Sequence, residues 1–272
     1  MKNKFPRLSI ILLGLISLYS SCSKNKSNPV VPPVVVPPIT NEVDFWVTKG
    51  DKTSLLEKQT AVLGFSTTAN SFSNILVDST VSYQSVDGFG FTLTGGSAEL
   101  INGMGTTEKN NLLSDLFSAN GIGISYLRVS IGASDLSSSV FSYNDLPAGQ
   151  TDLTLANFSL SQDLTHLVPL LKQILTINPN IKIMGSPWSP PVWMKDNGSS
   201  MGGSLKPEYY NVYAQYFVKY IQAMKAQGIT IDAVSIQNEP QHGGNNPSML
   251  MTAPQQAAFI KSSLGPAFQA AS

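Results

Sequence analysis

A glutamate at the carboxyl end of a predicted strand is the residue best suited to acid–base chemistry. Residues 231–236 form an alternating apolar run, and Gln237 leads from that run into Asn238, Glu239 and Pro240. A glutamate whose pKa is raised toward neutrality, by burial or by a nearby negative charge, can protonate a leaving oxygen. The Asn238 amide can hydrogen-bond a substrate hydroxyl. The position directly after a strand favours a catalytic acid over an ordinary turn.

Three further residues lie in or directly after predicted strands. Arg128 sits inside an apolar strand. A buried guanidinium needs a partner, and a carboxylate is the natural one, so Arg128 either anchors the strands or positions Glu239. Asp135 could hold two hydroxyls or act as a turn or cap residue. Trp188 offers a flat apolar face that suits the C–H face of a sugar, although buried tryptophans more often pack in the core.

The remaining candidate residues give weaker indications. Trp193 follows Trp188 within a proline-rich loop, and we expect it to pack in the core. His166 lies among leucines on a predicted helix, and His242 follows the Glu239 turn. The two histidines lack the spacing of metal ligands on one helix face, so we expect no metal site.

The elements that must position these residues alternate between strands and amphipathic helices. This alternation predicts parallel strand pairing through βα units. The Gly-x-Gly-x-x-Gly motif is missing after every strand, which argues against a dinucleotide-binding sheet. Polar and aromatic residues collect at strand carboxyl ends, where (β/α)8 TIM barrels carry their active sites. We predict strands at 86–94, 125–131, 181–188 and 231–236, and helices at 107–120, 162–177, 207–228 and from 253 onward.

The segment before this α/β pattern, residues 43–84, shows no alternation of strands and helices. Short β-rich pieces occur at 44–48, 61–65 and 74–78, with turn residues between them and no helical period. We expect small antiparallel strands that belong to a side sheet.

The composition is that of a globular protein. The 272 residues carry a formal net charge of zero, with 42% hydrophobic and 12% charged residues. That hydrophobic fraction is enough for a sizeable core. The neutral charge balance gives no support to a nucleic-acid partner.

The amino terminus has the features of an export signal. Residues 1–7 are basic, residues 8–18 are apolar but too few to span a bilayer permanently, and Cys22 follows two serines. As the single cysteine, Cys22 cannot form an internal disulfide. We predict a lipoprotein signal peptide at 1–22 and a lipid anchor at Cys22 that attaches the protein to a bacterial membrane; an ordinary signal peptide is the alternative. The proline-rich segment 23–42 predicts an extended tether.

Several long motifs resemble glycoside hydrolase family 30, which includes glucosylceramidases and endo-β-1,6-glucanases. The motifs are DGFGFTLT at 87–94, YLRVSIGASD at 126–135, FSY at 141–143, SPWSPPVWMK at 186–195 and AVSIQNEP at 233–240. The resemblance implies a retaining β-glycosidase built on a TIM barrel, with a β-sandwich formed from both chain ends. One departure is that the first motif continues into glycines, where the family commonly has aspartate.

The resemblance also implies a role for each candidate residue. Glu239 would be the general acid/base, Asn238 would contact the sugar, and Arg128, Asp135 and Trp188 would line the sugar pocket. The substrate would be a β-glucan or β-glucoside. Two carboxylates suffice for this chemistry, so no cofactor is implied. For an exported protein, β-1,6-glucan is favoured over glucosylceramide.

One part of the implied site is not found in this chain. A retaining glycosidase needs two carboxyl groups about 5–5.5 Å apart, and the resemblance implies a nucleophilic glutamate on the seventh barrel strand. Four βα units are recognisable, so we assign residues 43–84 to the side sandwich and residues 85–272 to the first half of a truncated barrel. We expect this chain by itself to be inactive. The alternative is a non-catalytic carbohydrate-binding surface lipoprotein.

Overall fold

The computed structural model describes residues 40–271, which divide into one unit ending at residue 79 and a second beginning at residue 80. The signal peptide, the lipidation residue Cys22 and the prolines of the tether lie outside the described residues. Within residues 40–271, every helix is too short or too polar to cross a membrane.

The first unit contains a two-stranded antiparallel sheet. Strand β1 is Trp46–Val47 and strand β2 is Glu57–Lys58. The strands predicted at 61–65 and 74–78 are wrong, because both segments are irregular in the structure. A strand needs a partner to complete its hydrogen-bond ladder, and within residues 40–79 the only ladder joins β1 to β2.

The second unit is built on a parallel sheet, as the alternation predicted. Its strands are β3 (Gly90–Leu93), β4 (Tyr126–Ile131), β5 (Lys182–Pro187) and β6 (Ala233–Val234). They pair in the order β3-β4-β5-β6, so each strand lies beside the next one along the chain. The α/β class is therefore confirmed. Each strand is shorter than predicted, most of all β3, which lacks residues 86–89 at its amino end, and β6, which has two residues.

Helices follow the strands, and most lie where the periodicity predicts them. The unpredicted helix α1 begins at two glycines, which are poor helix formers, but the Thr94 side chain caps it by accepting a hydrogen bond from the Ser97 backbone N–H. The second predicted helix begins at Leu167 rather than 162. The α-helices are α1 (Gly95–Asn102), α2 (Thr106–Phe117), α3 (Leu167–Ile177), α4 (Tyr210–Ala226), α5 (Ala253–Phe259) and α6 (Gly265–Ala271); Val192–Met194 and Pro207–Tyr209 are 3-10 turns, and Ile260–Leu264 is a π-helical turn.

The sheet has one apolar face and one polar face. Alternate residues of a strand point to opposite sides, and on β4 the side chains of Leu127, Val129 and Ile131 are buried in the hydrophobic core with α3 and α4. The residues between them, Arg128 and Ser130, belong to the opposite face. The period of two thus separates the residues that stabilise the fold from those available for chemistry.

A glycine on β3 permits its pairing with β4. A Cβ atom at Gly90 would lie 1.5 Å from the Tyr126 carbonyl oxygen, well inside van der Waals contact. The DGFGF motif therefore has a local structural reason, since any side chain at position 90 would push the two strands apart.

Candidate active site

Arg128 links strand β5 to the loop after β6 at the carboxyl edge of the sheet. Its Nη2 donates to Asn238 Oδ1 at 2.7 Å and to Ser186 Oγ at 2.9 Å. The partners are therefore an amide and a hydroxyl, not the carboxylate expected from the sequence. Burial lowers the pKa of Arg128, and the negative charges of Glu239 and Asp135 partly offset this effect. Both carboxylates thus act on the guanidinium electrostatically without pairing with it directly.

Trp188 lies directly after β5 and packs against the same guanidinium. The Arg128 Cζ atom is 4.8 Å from the centre of the indole ring, within the range of a cation–π contact. The Trp188 carbonyl accepts a hydrogen bond of 2.7 Å from Gln237 Nε2. The indole Nε1–H is buried and has no hydrogen-bond partner within residues 40–271. Leaving a buried donor unsatisfied costs roughly 1–3 kcal/mol, so this N–H lowers the stability of the fold as the described residues stand.

Glu239 is exposed and has an unusual backbone conformation. Its φ angle is 43°, in the left-handed region that a glutamate rarely adopts. Its Oε2 accepts a hydrogen bond of 2.9 Å from Asn245 Nδ2. The preceding Asn238 backbone N–H donates to the Pro187 carbonyl at 2.8 Å, which holds the turn against the end of β5. Backbone strain of this kind, held in place by its surroundings, is common at functional sites.

Asp135 follows β4 and is exposed. Gly132, at the end of β4, has a φ of 77°, and the next residue, Ala133, donates its backbone N–H to the Phe141 carbonyl at 3.0 Å. This turn carries the chain from the strand into the loop that contains Asp135. The structure therefore joins Arg128, Asn238 and Trp188 by direct contact and brings Asp135 and Glu239 within electrostatic range of Arg128.

Trp193, His166 and His242, the weaker candidates from the sequence, lie in structural positions outside the contacts of Arg128. Trp193 Nε1 donates to the Asn144 carbonyl and to its side-chain oxygen, each at 3.1 Å, and the indole packs edge-on against Tyr209. His166 precedes α3, and the exposed His242 donates its backbone N–H to the Glu239 carbonyl. Among the described residues, no cluster of three or more His, Cys, Asp or Glu side chains could hold a metal ion.

Sequence reasoning missed residues that hold the site together. Ser235 Oγ and Ser186 Oγ lie 2.7 Å apart, so hydroxyls continue the polar face from β5 onto the segment after β6. Polar residues at alternate positions in apolar strands are the signal that could have identified this pair. Gln237 supports Trp188, and Asn245 contacts Glu239. Their roles depend on loop conformation, for which the sequence contains no comparable pattern.

Comparison with known proteins identifies the family. The sequence model of the glycosyl hydrolase family 30 TIM-barrel domain matches residues 86–272. The chain belongs to glycosyl hydrolase family 30. Among curated relatives of this family 30 chain, an endo-1,6-β-D-glucanase of Neurospora crassa is 37% identical over 209 residues, covering 74% of this chain and 43% of the relative. The lysosomal acid glucosylceramidase of Mus musculus is 37% identical over 196 residues, covering 68% of this chain and 38% of the enzyme.

A solved structure of a family 30 relative supports the fold. An endo-β-1,6-glucanase has a TM-score of 0.72 and 38% sequence identity, with 85% of this chain and 50% of that chain covered. The family 30 chain spans about two fifths of the length of the curated relatives it matches, the first three shares being 43%, 39% and 44%.

Proposed function

We propose that this family 30 chain contributes the acid/base part of a retaining β-glycosidase active site, with Glu239 as the general acid/base. The observation that carries the proposal is the hydrogen bond from Arg128 to Asn238, because it fixes the amide next to Glu239 on the guanidinium that packs against the Trp188 ring. An acid, a fixed amide and an aromatic ring at one edge of a sheet are groups that can bind and protonate a sugar.

The hydrogen bonds suggest how each group acts. Because Asn238 Oδ1 accepts from Arg128, the amide Nδ2–H groups are left for a sugar hydroxyl. The exposed Asp135 carboxylate can accept hydrogen bonds from further hydroxyls, and the Trp188 ring supports the guanidinium that orients Asn238. Glu239 would protonate the glycosidic oxygen as the bond breaks and later remove a proton from the attacking water.

A retaining mechanism needs a second carboxylate as nucleophile, about 5–5.5 Å from the first. Within residues 40–271, Glu239 receives its hydrogen bond from an amide, and the family resemblance assigns the nucleophile to a later barrel strand. We propose that β3 to β6 are half of an eight-stranded barrel and that residues 43–84 belong to a β-sandwich. Residues 40–271 would then bind sugar but need a further carboxylate for turnover.

The proposed substrate is a β-glucan, and β-1,6-glucan is favoured. Relatives named as endo-1,6-β-D-glucanases and as glucosylceramidases match with similar identity, so the linkage rests on the proposed location of the protein. A lipid anchor at Cys22 would place the domain outside the cell, where polysaccharide is more accessible than sphingolipid. The alternative is a carbohydrate-binding protein that does not cleave its ligand.

The test is hydrolysis by the complete gene product and by a Glu239→Gln variant. On β-1,6-glucan, kcat of the variant should fall by roughly 10²–10⁴-fold, the contribution of a positioned acid. On dinitrophenyl β-glucoside the loss in the bond-breaking step should be much smaller, because this leaving group needs no proton. Glu208→Gln, an exposed glutamate in a 3-10 turn, is the matched control and should retain wild-type rates.

Two outcomes would overturn parts of this proposal. Wild-type rates for Glu239→Gln on the glucan would remove Glu239 from the acid/base role. Glucan binding without hydrolysis by the complete gene product would support the carbohydrate-binding alternative. Hydrolysis by the 272-residue chain alone, lost in Glu239→Gln, would contradict the proposed need for a further carboxylate.

A further inference from the structure

The orientation of Glu239 depends on the loop that follows it, residues 240–251, which we term the acid loop. Asn245, from the middle of this loop, donates its side-chain N–H to Glu239 Oε2 at 2.9 Å. Because Glu239 is exposed and its backbone is strained, its own packing does little to fix the carboxyl group. Whatever holds the acid loop therefore also holds the acid.

The acid loop is attached to residues 200–203, which lie between β5 and the 3-10 turn Pro207–Tyr209. The Ser248 backbone N–H donates to the Ser200 carbonyl at 2.9 Å, and the Leu250 backbone N–H donates to the Gly203 carbonyl at 2.8 Å. In the other direction, the Gly202 backbone N–H donates to Ser248 Oγ at 2.9 Å. Ser248 is thus bonded through both its backbone and its side chain.

A buried lysine, Lys195, also holds the acid loop in place. Lys195 is 1% exposed, and its Nζ donates to the Ser248 carbonyl at 2.7 Å and to Ser189 Oγ at 3.1 Å. Ser189 directly follows Trp188. One ammonium group therefore connects the loop that carries the indole to the loop that carries Asn245.

The burial of Lys195 is unfavourable by itself. Lysine is almost never fully buried unless its charge is paired, and within residues 40–271 Lys195 forms no ion pair. Burial lowers its pKa to about 8, and the charge of the adjacent Asp196 offsets part of this effect. A methionine of similar length would fill the same space without a desolvation cost, so the ammonium is retained for its hydrogen bonds and not for packing.

We propose that Lys195 is a positioning residue for the reaction, which fixes the acid loop and through Asn245 fixes the carboxyl group of Glu239. The inference rests on the proposed function, because it assumes that Glu239 protonates the leaving group. The hydrogen bonds of Lys195 go to Ser189 and Ser248, and not to Glu239 or Asn238. Its loss should therefore affect the step that needs an accurately placed proton more than it affects sugar binding.

Hydrogen exchange tests the structural half of the proposal without any assay of activity. In a Lys195→Met variant, the backbone amides of Ser248 and Leu250 should exchange on the order of 10-fold faster, since loss of one anchor makes local opening easier. Lys172→Met, on the exposed face of α3, is the matched control and should leave these amides unchanged. Unchanged exchange in Lys195→Met would overturn the proposal.

Kinetics of the complete gene product test the functional half. In Lys195→Met, kcat on β-1,6-glucan should fall about 10-fold with little change in KM, because part of the acid's roughly 10²–10⁴-fold contribution is lost. On dinitrophenyl β-glucoside, kcat/KM, which reports the bond-breaking step, should change less than about twofold, since this leaving group needs no proton. An equal loss on both substrates would mean a general folding defect and would overturn the positioning role.

A second variant covers the case in which Lys195→Met folds poorly. Asn245→Ala removes the contact with Glu239 at a half-buried loop position, and it should show the same selective loss on the glucan. Equal losses on both substrates would contradict the link through Asn245. If Glu239→Gln itself lacks this selectivity, the proposed function fails, and hydrogen exchange still decides whether Lys195 holds the acid loop.

Discussion

Arg128 and Asn238 are 110 positions apart in sequence, yet Nη2 of the arginine lies 2.7 Å from Oδ1 of the asparagine. The bond runs from β4 to the segment after β6, across the intervening strand β5. It determines which end of the Asn238 amide faces the arginine and which end remains free. The residue next to the proposed acid is therefore oriented by the sheet and not by its own turn.

Arg128→Lys should weaken both the fold and sugar binding. A lysine has a compact point charge and cannot reproduce the planar group that stacks on Trp188 while it donates to Ser186 and Asn238. We expect the free energy of unfolding to fall by about 1–2 kcal/mol. Affinity for β-1,6-glucan should fall about 10-fold, because the Asn238 amide is freed. Urea unfolding and titration calorimetry measure the two effects, and an unchanged affinity would contradict the orienting role.

Trp188→Phe should separate binding from stability. The substitution leaves a small cavity but removes a buried N–H without a partner, so the change in unfolding free energy should stay within about 1 kcal/mol. Affinity for the glucan should fall about 10-fold, since the smaller ring supports less well the guanidinium that orients Asn238.

Trp193→Phe is the matched control for that experiment. The Trp193 N–H already donates to Asn144, so its removal should cost about 1–2 kcal/mol of unfolding free energy and leave glucan affinity unchanged. If the two variants lost stability and affinity in the same proportions, the Trp188 indole would be a packing residue only.

Glu239→Asn should stabilise the protein relative to Glu239→Gln. The left-handed conformation at this position costs a non-glycine residue roughly 1–2 kcal/mol, and asparagine tolerates it better than glutamine does. We expect the asparagine variant to exceed the glutamine variant by about 0.5–1 kcal/mol in urea unfolding. Equal stabilities would show that the backbone at residue 239 is not strained.

Asp163 should make stability depend on pH. Burial raises the pKa of this carboxyl to about 7, and the Tyr143 hydroxyl that donates to it lowers the pKa by a smaller amount. The unfolded chain loses this proton near pH 4, whereas the folded protein keeps it until about pH 7. The contribution of Asp163 to stability therefore falls as pH rises from about 4 to 7 and stays low above that range.

Asp163→Asn tests this dependence because asparagine keeps an acceptor for the Tyr143 hydroxyl and carries no charge. The variant should match wild type in urea unfolding near pH 4 and exceed it at pH 8 by up to roughly 4 kcal/mol, from 1.36 kcal/mol per pKa unit. Asp152→Asn is a control for which the expected change in stability has the opposite sign. Hydrogen bonds, the strongest from the Asn157 backbone N–H, lower the pKa of Asp152 and so stabilise its charged form. That variant should lose stability at pH 8. A pH-independent Asp163→Asn would contradict the buried acid.

Much of the fold could be predicted from local patterns. Apolar alternation located β3 to β6, and helical periodicity located α2, α3 and α4, because burial on one face leaves a period in the sequence. The prediction failed at 61–65 and 74–78, where apolar runs form no strand. A run of apolar residues shows only that a segment could pair, whereas pairing also needs a neighbouring strand.

The sequence by itself determined the family, the α/β class and the candidates Arg128, Trp188 and Glu239, since these depend on residue types at recognisable spacings. Only the tertiary structure decided their partners. Arg128 bonds an amide where a carboxylate was expected, and Lys195, which the sequence did not single out, is buried beneath the acid loop. The physical reason is that a hydrogen bond needs two atoms within about 3 Å at the correct angle. Strand register and loop conformation set that distance, and neither can be predicted from the spacing of residues along the chain.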